Sequence, residues 1–430
     1  MSQKLDNKGN VISPIQVDAF GKTLVAQDTH FFDDRTSYAR NTGEEGIDNW
    51  TYIASGGVAT YNGSSSIVEL ITNTTSGSKV IRQTNRYFPY IPGSTNTPEM
   101  TATPFQSVEG VRQRIGQFDD KNGVYWEIGS GGQLGVGVRS DVTGTVVDSV
   151  TYVGSFNADR LDGSNKVGNE SRLTFVVSAS NIFALPYQWL GVGDVQAILN
   201  IREPVLAHIS GHSNCIDATY MRTATLPLRY EIENLATITT TPTLKTICAA
   251  LVSQGGSIPS GPTYIKGNGA VPIKAITARK PLCAFRLSNS YNGRDNRISA
   301  EFKSSTFYAE DAPVFFEVVQ ITDVGCLHGD PSWTHVHSHV SGVEFAIDVD
   351  SVEGGIEHTI AVAKVPAGGQ GSGTFTGAGG AKAADVRDPF HFLYQNYNSD
   401  KSAHFVMYGT SIESGTAAIG TADLEWQELH

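Results

Sequence analysis

Three histidines, His335, His337 and His339, alternate in the run HVHSH. Alternate side chains of an extended strand leave the same face, about 7 Å apart at a rise of ~3.3 Å per residue. Neutral imidazoles so placed could hold Zn, Ni or Fe, and in a trimeric fibre two from each chain could surround an axial ion. The competing reading is a His-rich strand facing solvent, because no Cys or carboxylate stands at ligand spacing beside it. Asp119, Asp120 and Asn122 in one turn, and Asp159, Asp162 and Gly163 in another, offer the oxygen ligands that Ca²⁺ uses. Neither run has the spacing of a complete calcium loop, and Asp and Asn also bond their own backbone in tight turns. Asp348, Asp350 and Glu353 stand at i, i+2 and i+5, close to the E-x-D-x-x-E acid cluster of some jelly-roll glycosidases but with Asp in the first place. No G-x-S-x-G precedes a helical run, and Gly368–Lys382 lacks the residue order of a phosphate loop.

Aromatic residues supply a different chemistry. Tyr87, Tyr90, Tyr125, Trp126, Tyr187 and Trp189 could stack on the apolar faces of sugar rings, with Tyr125, Trp126 and Trp189 as the expected platform. Burial in a core or an interface is the competing reading for all six.

The elements that must position these groups are strands. Val111–Phe118 and Val124–Ile128 alternate in polarity around the turn DDKNG, whose Asn-Gly suits a tight hairpin. Leu134–Val138 follows after GSGG, so the region reads as a meander with one apolar face, which requires a second layer over it. The same grammar of short alternating segments and Gly, Ser or Asn turns continues to the end of the chain. Leu244–Val252 is the one segment where a short helix is expected.

Bulk properties agree. A chain of 430 residues exceeds a single ordinary core, and 45 Gly with only 17% charged residues is a composition of many short strands. The expected fold class is all-β: two antiparallel β-sandwich domains of jelly-roll or lectin-like type with an N-terminal arm. The arm covers 1–27 and the first sandwich 28–240, with a boundary in TITTTPT (Thr237–Thr243). The second sandwich covers 241–430, with a flexible Gly-rich loop at 366–384. A formal net charge of −12 argues against nucleic acid as a partner. The start lacks a secretory pattern and no segment has the ~20 apolar residues of a membrane helix, so the chain is expected in a cytoplasm without membrane insertion. Cys215, Cys248, Cys283 and Cys326 form no C-x-x-C pair and are expected to be reduced thiols.

Several strings have a familiar form: VIRQTNRYFPYIPG (Val80–Gly93), VRQRIGQFDDKNGVYWEI (Val111–Ile128), SFNADRLDGS (Ser155–Ser164), YQWLGVG (Tyr187–Gly193), YMRTATLPLRYEIEN (Tyr220–Asn234) and LEWQEL (Leu424–Leu429). As a set spanning most of the chain, they resemble proteins of tailed phages, environmental and cyanobacterial ones especially, described as virion structural proteins. The resemblance implies a non-catalytic component of the virion, assembled in the host cytoplasm, of tail-fibre or capsid-decoration type. Its partners would be copies of itself and other virion proteins. No catalytic residue and no cofactor transfers with it. A receptor- or glycan-binding appendage touching host surface glycan is the second expectation, and a polysaccharide depolymerase the third.

Overall fold

The computed structural model describes residues 28–38, 49–105, 107–164, 167–211, 216–254, 261–269, 273–322, 326–328, 331–337, 340–347, 349, 351–353, 356–374, 392–393 and 403–429. The expected arm at 1–27 lies outside them. Apart from two single-turn 3₁₀ segments, every described element is a strand, and every pairing between strands is antiparallel. Among the described residues no helix is long and apolar enough to cross a membrane. The all-β expectation holds.

The chain divides into two units, Met1–Thr84 with Tyr90–Ile258, and Asn85–Pro89 with Pro259–His430. The first is built from β1 (Thr29–Arg35), β2 (Asn49–Ala54), β3 (Val58–Asn62), β4 (Ile67–Ile71), β5 (Lys79–Thr84), β6 (Thr95–Phe105), β7 (Val111–Phe118), β8 (Gly123–Ile128), β9 (Leu134–Ser140), β10 (Val147–Tyr152), β11 (Asn181–Ala184), β12 (Val195–Asn200), β13 (Pro204–Ser210), β14 (Leu228–Asn234) and β15 (Thr243–Gln254). One sheet runs β13-β12-β11-β6-β15-β4-β3 with β1 beside β15, and the other runs β10-β9-β8-β7-β14-β5-β2. The sheets face each other. Trp126 of β8 meets Phe183 of β11 edge-on at 5.7 Å, and the Tyr230 hydroxyl of β14 donates to the carbonyls of Thr101 and Cys248 at 3.2 and 2.8 Å.

The meander read from the sequence is the strand order β7-β8-β9-β10, and its first turn closes with Asp119 Oδ1 accepting from the N–H groups of Lys121 and Asn122, each at 2.8 Å. Val124, Trp126 and Ile128 point into the sandwich. Tyr125 and Glu127 point the other way, yet all six residues of β8 are buried. Strict alternation predicts a half-buried strand, so something covers the outward face as well.

Four expectations need correction. Leu244–Val252 is strand β15, not a helix; register shifts between Leu244 and Thr246 and between Thr246 and Ala249 break the two-residue period that would have marked it. Because β15 pairs with β6, β4 and β1, the first unit extends through Ile258 rather than ending at 240. The domains are also not contiguous, since Asn85–Pro89 belongs with the second unit, where Ser299 Oγ donates to the Tyr87 carbonyl at 3.0 Å. Finally, Gly369–Thr374 within the expected loop at 366–384 is a strand paired with Ser299–Ala309. A backbone without large side chains can still join a sheet edge through its own N–H and C=O groups. Residues 375–384 of that loop lie outside the described residues.

The second unit likewise has two large antiparallel sheets, with two further two-stranded pairs, Ser290–Tyr291 with Arg294–Asp295 and Cys326–His328 with Ser351–Glu353. One large sheet orders Thr263–Gly267, Ala418–Leu429, Ser299–Ala309 and Gly369–Thr374, and the other Thr334–His335, Val343–Ala346, Lys280–Leu287, His404–Ser411, Val314–Thr322 and Ile356–Val365. Aromatic pairs join the layers, Phe307 stacking on Phe316 at 4.8 Å and Trp426 tilting onto Phe285 at 5.5 Å.

Candidate functional site

The outward face of the seven-stranded sheet carries a cluster of ionisable side chains. Cross-strand register lines up Glu127 of β8, Arg114 of β7 and Glu231 of β14, with Asp148 of β10 opposite Arg139 of β9 and Arg229 of β14 opposite Gln83 of β5. Arg114 Nε donates to Glu127 Oε2 at 2.9 Å and its Nη2 to Asp148 Oδ2 at 3.0 Å. Arg139 grips Asp148 with two bonds, Nε to Oδ1 at 2.8 Å and Nη2 to Oδ2 at 3.1 Å. Arg229 reaches Asp120 at 2.7 Å and Glu231 at 3.5 Å, and Lys79 reaches Glu231 at 3.4 Å. Four cations therefore meet four carboxylates, and such mutual pairing is the condition under which buried charge is tolerated.

Aromatic rings fill the gaps. The Arg114 guanidinium lies 4.5 Å from the centre of the Tyr125 ring, and the Tyr125 hydroxyl donates to Asp148 Oδ1 at 2.9 Å. This ring lies flat because Gly137 sits beneath it: a Cβ there would stand 2.3 Å from Tyr125 Cε2 and Cζ. Tyr152 lies over Gly135 and Gly129 in the same way. The glycines of Leu134–Gly135–Val136–Gly137–Val138 thus fall on the outward side for a steric reason, while the valines face the core. Gly137→Ala is expected to destabilise the first unit by about 1–3 kcal/mol through overpacking. Urea titration of the single variant and of Gly137→Ala with Tyr125→Leu checks this, and a single variant with an unshifted midpoint would contradict it.

Protonation states follow from the pairing. Burial alone would raise the Asp148 carboxyl, but the hydrogen bond from Arg139 and the charges of Arg114 and Arg139 outweigh it and hold it well below the usual range. Burial likewise opposes ionisation of Glu231, and Lys79, Arg229 and Arg114 outweigh it and lower this carboxyl too. Burial pushes the Tyr125 phenol far up. An acid catalyst needs a carboxyl that keeps its proton near neutrality, and a phenol acting as base needs a lowered value. Asp148, Glu231 and Tyr125 are displaced in the opposite directions. Depressed carboxylates contribute stability that is present above their unfolded values, about 4, and lost as pH falls toward the folded ones. The stability gap between the wild type and Asp148→Asn should therefore hold steady above about pH 5 and narrow below about pH 4. Thermal melting across that range measures it, and a gap that widens on acidification would be the wrong sign.

The residues singled out in the sequence fall in separate places. Tyr125 and Trp126 are fully buried, so neither can be the expected sugar platform; β8 lies mid-sheet, with the core on one side and the charged network on the other. Trp189 is half-buried beside Tyr90, whose ring it meets edge-on at 5.8 Å. The histidine strand ends at His335, and the chain bends at Val336 and His337, so alternation along one strand does not carry through the run. His335 lies 3.7 Å from Glu344, His337 is exposed, and His339 lies outside the described residues. Among the described residues no three His, Cys, Asp or Glu side chains group as metal ligands. In the Asp-rich turns, Asp159 accepts from the N–H groups of Leu161 and Ser171, and Asp162 from Ser164 N and Asn169 Nδ2, which is turn chemistry. Asp348 and Asp350 lie outside the described residues.

The network itself was missed, although a trace of it is visible: Arg112 and Arg114 alternate with Val111, Gln113 and Ile115, and Arg229, Glu231 and Glu233 with Leu228, Tyr230 and Ile232. That pattern normally marks a solvated sheet face.

No protein-family model matches the chain. No curated protein matches it either. Solved structures similar to it include a protein of unknown function from Shewanella oneidensis MR-1, at 9% identity and TM-score 0.36, covering 58% of this chain and 97% of that one. An endo-beta-1,4-glucuronan lyase from the fungus Trichoderma reesei shows 10% identity and TM-score 0.30, covering 46% and 89%. A legume lectin-like domain from Entamoeba histolytica shows 8% and 0.28, covering 47% and 89%. Likeness at this level transfers no function.

Proposed function

We propose that the chain is a non-catalytic structural component of a tailed-phage virion that works by making repeated protein contacts at the particle surface or tail. The observation that carries the reading is the charged face of the first sandwich: its carboxylates and guanidiniums are spent on one another, and Asp148, Glu231 and Tyr125 are displaced away from acid-base use. Such a face stiffens a scaffold. Loops carry the contacts, as in the β11–β12 connection, where Leu190 and Val192 are 43% and 56% exposed beside Trp189. The sequence resemblance to virion proteins supports the same reading, and its partners would be copies of itself and neighbouring particle proteins.

Labelling purified virions with an antibody to this chain, followed by electron cryomicroscopy, tests the proposal. Regular copies on capsid, neck or tail are the expected result. Absence from washed particles, or release of reducing ends from host polysaccharide by the purified chain, would overturn it.

A further inference from the structure

We infer that Tyr152, with the neighbouring Arg112–Glu233 pair, forms a subsite for one pyranose ring of an oligosaccharide, a function beyond the structural role proposed above. Tyr152 ends the edge strand β10 and is 37% exposed. Its underside is occupied, because a Cβ on Gly135 would stand 2.9 Å from its Cδ1 and one on Gly129 would stand 2.8 Å from its Oη. The exposure therefore belongs to the upper face and outer edge. The hydroxyl donates to Glu127 Oε1 at 3.0 Å, and Glu127 Oε2 is held in turn by Arg114, so the ring is fixed before any ligand arrives.

Near this ring, whose phenol feels the charge of Arg112, Arg112 pairs in register with Glu233 across β7 and β14 and bonds it at 2.6 Å. The two side chains remain 23% and 21% exposed, unlike Arg114 and Glu127, which are shut off from solvent. A flat aromatic face accepts the C–H side of a sugar. Adjacent guanidinium donors and carboxylate acceptors match hydroxyl groups, which both donate and accept. Because cation and anion come as a pair, the subsite selects for hydroxyl-rich rings rather than for net charge. An apolar peptide would leave the Arg112–Glu233 pair facing hydrocarbon, which is costly.

Saturation-transfer difference NMR of the full chain with cellohexaose, a neutral probe, and with hexagalacturonate, an anionic one, tests the inference. Transfer to ring C–H protons of at least one probe is expected for the wild type. Tyr152→Phe should retain it, and Tyr152→Ala should weaken binding by about tenfold, the factor that ~1.4 kcal/mol represents. Tyr152→Leu keeps the glycine lane covered and should also lose binding, which separates stacking from folding if the alanine variant melts early. No transfer from the wild type to either probe, or undiminished transfer from Tyr152→Leu, overturns the inference. So does a Tyr152→Leu variant whose only change is a smaller sedimentation coefficient, since the ring would then serve contact between copies. Virion labelling is independent of these outcomes, so the two proposals can fail separately.

Discussion

Arg114→Met is expected to destabilise the first unit by about 3–5 kcal/mol, the usual range for removing one partner from a buried ion pair. Arg114 is only 1% exposed and touches Glu127 and Asp148 directly, with Glu231 at 3.8 Å. Methionine fills much of the volume but leaves the buried Glu127 without its guanidinium partner. The size of the loss comes from that stranded charge rather than from the net value of the bond. The double variant Arg114→Met with Glu127→Gln should therefore recover a substantial part of it. Because the chain has two units, a single unfolding free energy is not defined. The measurement is native-state hydrogen exchange at the amides of β7 and β8 in increasing urea. A loss below about 1 kcal/mol for Arg114→Met would show that water reaches this face and solvates the carboxylates.

Trp126→Ala is expected to cost about 3–5 kcal/mol, as for other large aromatic truncations in cores. The indole is fully buried, packs edge-on against Phe156 at 6.1 Å and Phe183 at 5.7 Å, and donates from Nε1 to the Ala184 carbonyl at 3.3 Å. It therefore bridges the two sheets, and alanine leaves a cavity and removes the cross-sheet hydrogen bond. The sugar-platform reading of this residue predicts the reverse, a protein of wild-type stability that no longer binds. Thermal unfolding followed by near-UV circular dichroism distinguishes them, and an unshifted first transition would return Trp126 to the surface.

Much of the fold was legible in the sequence. The hairpin from Val111 to Ile128, the following strand at Leu134 and the all-β class rest on alternation and turn residues, which act locally. Expectations failed where a distant partner decides. The β15 segment reads as a helix because bulges interrupt its alternation, and only its pairing with β6 and β4 makes it a strand. Gly369–Thr374 reads as a loop because its side chains offer nothing to pack, and only the edge at Ser299–Ala309 makes it a strand.

The candidate site divides along the same line. That Tyr125 and Trp126 leave opposite faces of one strand follows from the sequence, since successive residues of a strand must alternate. Which face water reaches does not follow. The spacing of Arg112, Arg114, Glu127, Arg229 and Glu231 is written in the chain, but their meeting depends on the cross-strand order β8-β7-β14, which brings together residues more than 100 positions apart. Thus the sequence alone determined the strands of the meander from Val111 to Val138 and the turns between them. Tertiary structure decided that the outward charges neutralise one another, that Tyr125 lies closed beneath Arg114, and that Tyr152 stays open at the sheet edge. The physical reason is that alternation sets only the direction of a side chain, while burial and pairing are set by what the neighbouring strands place above it.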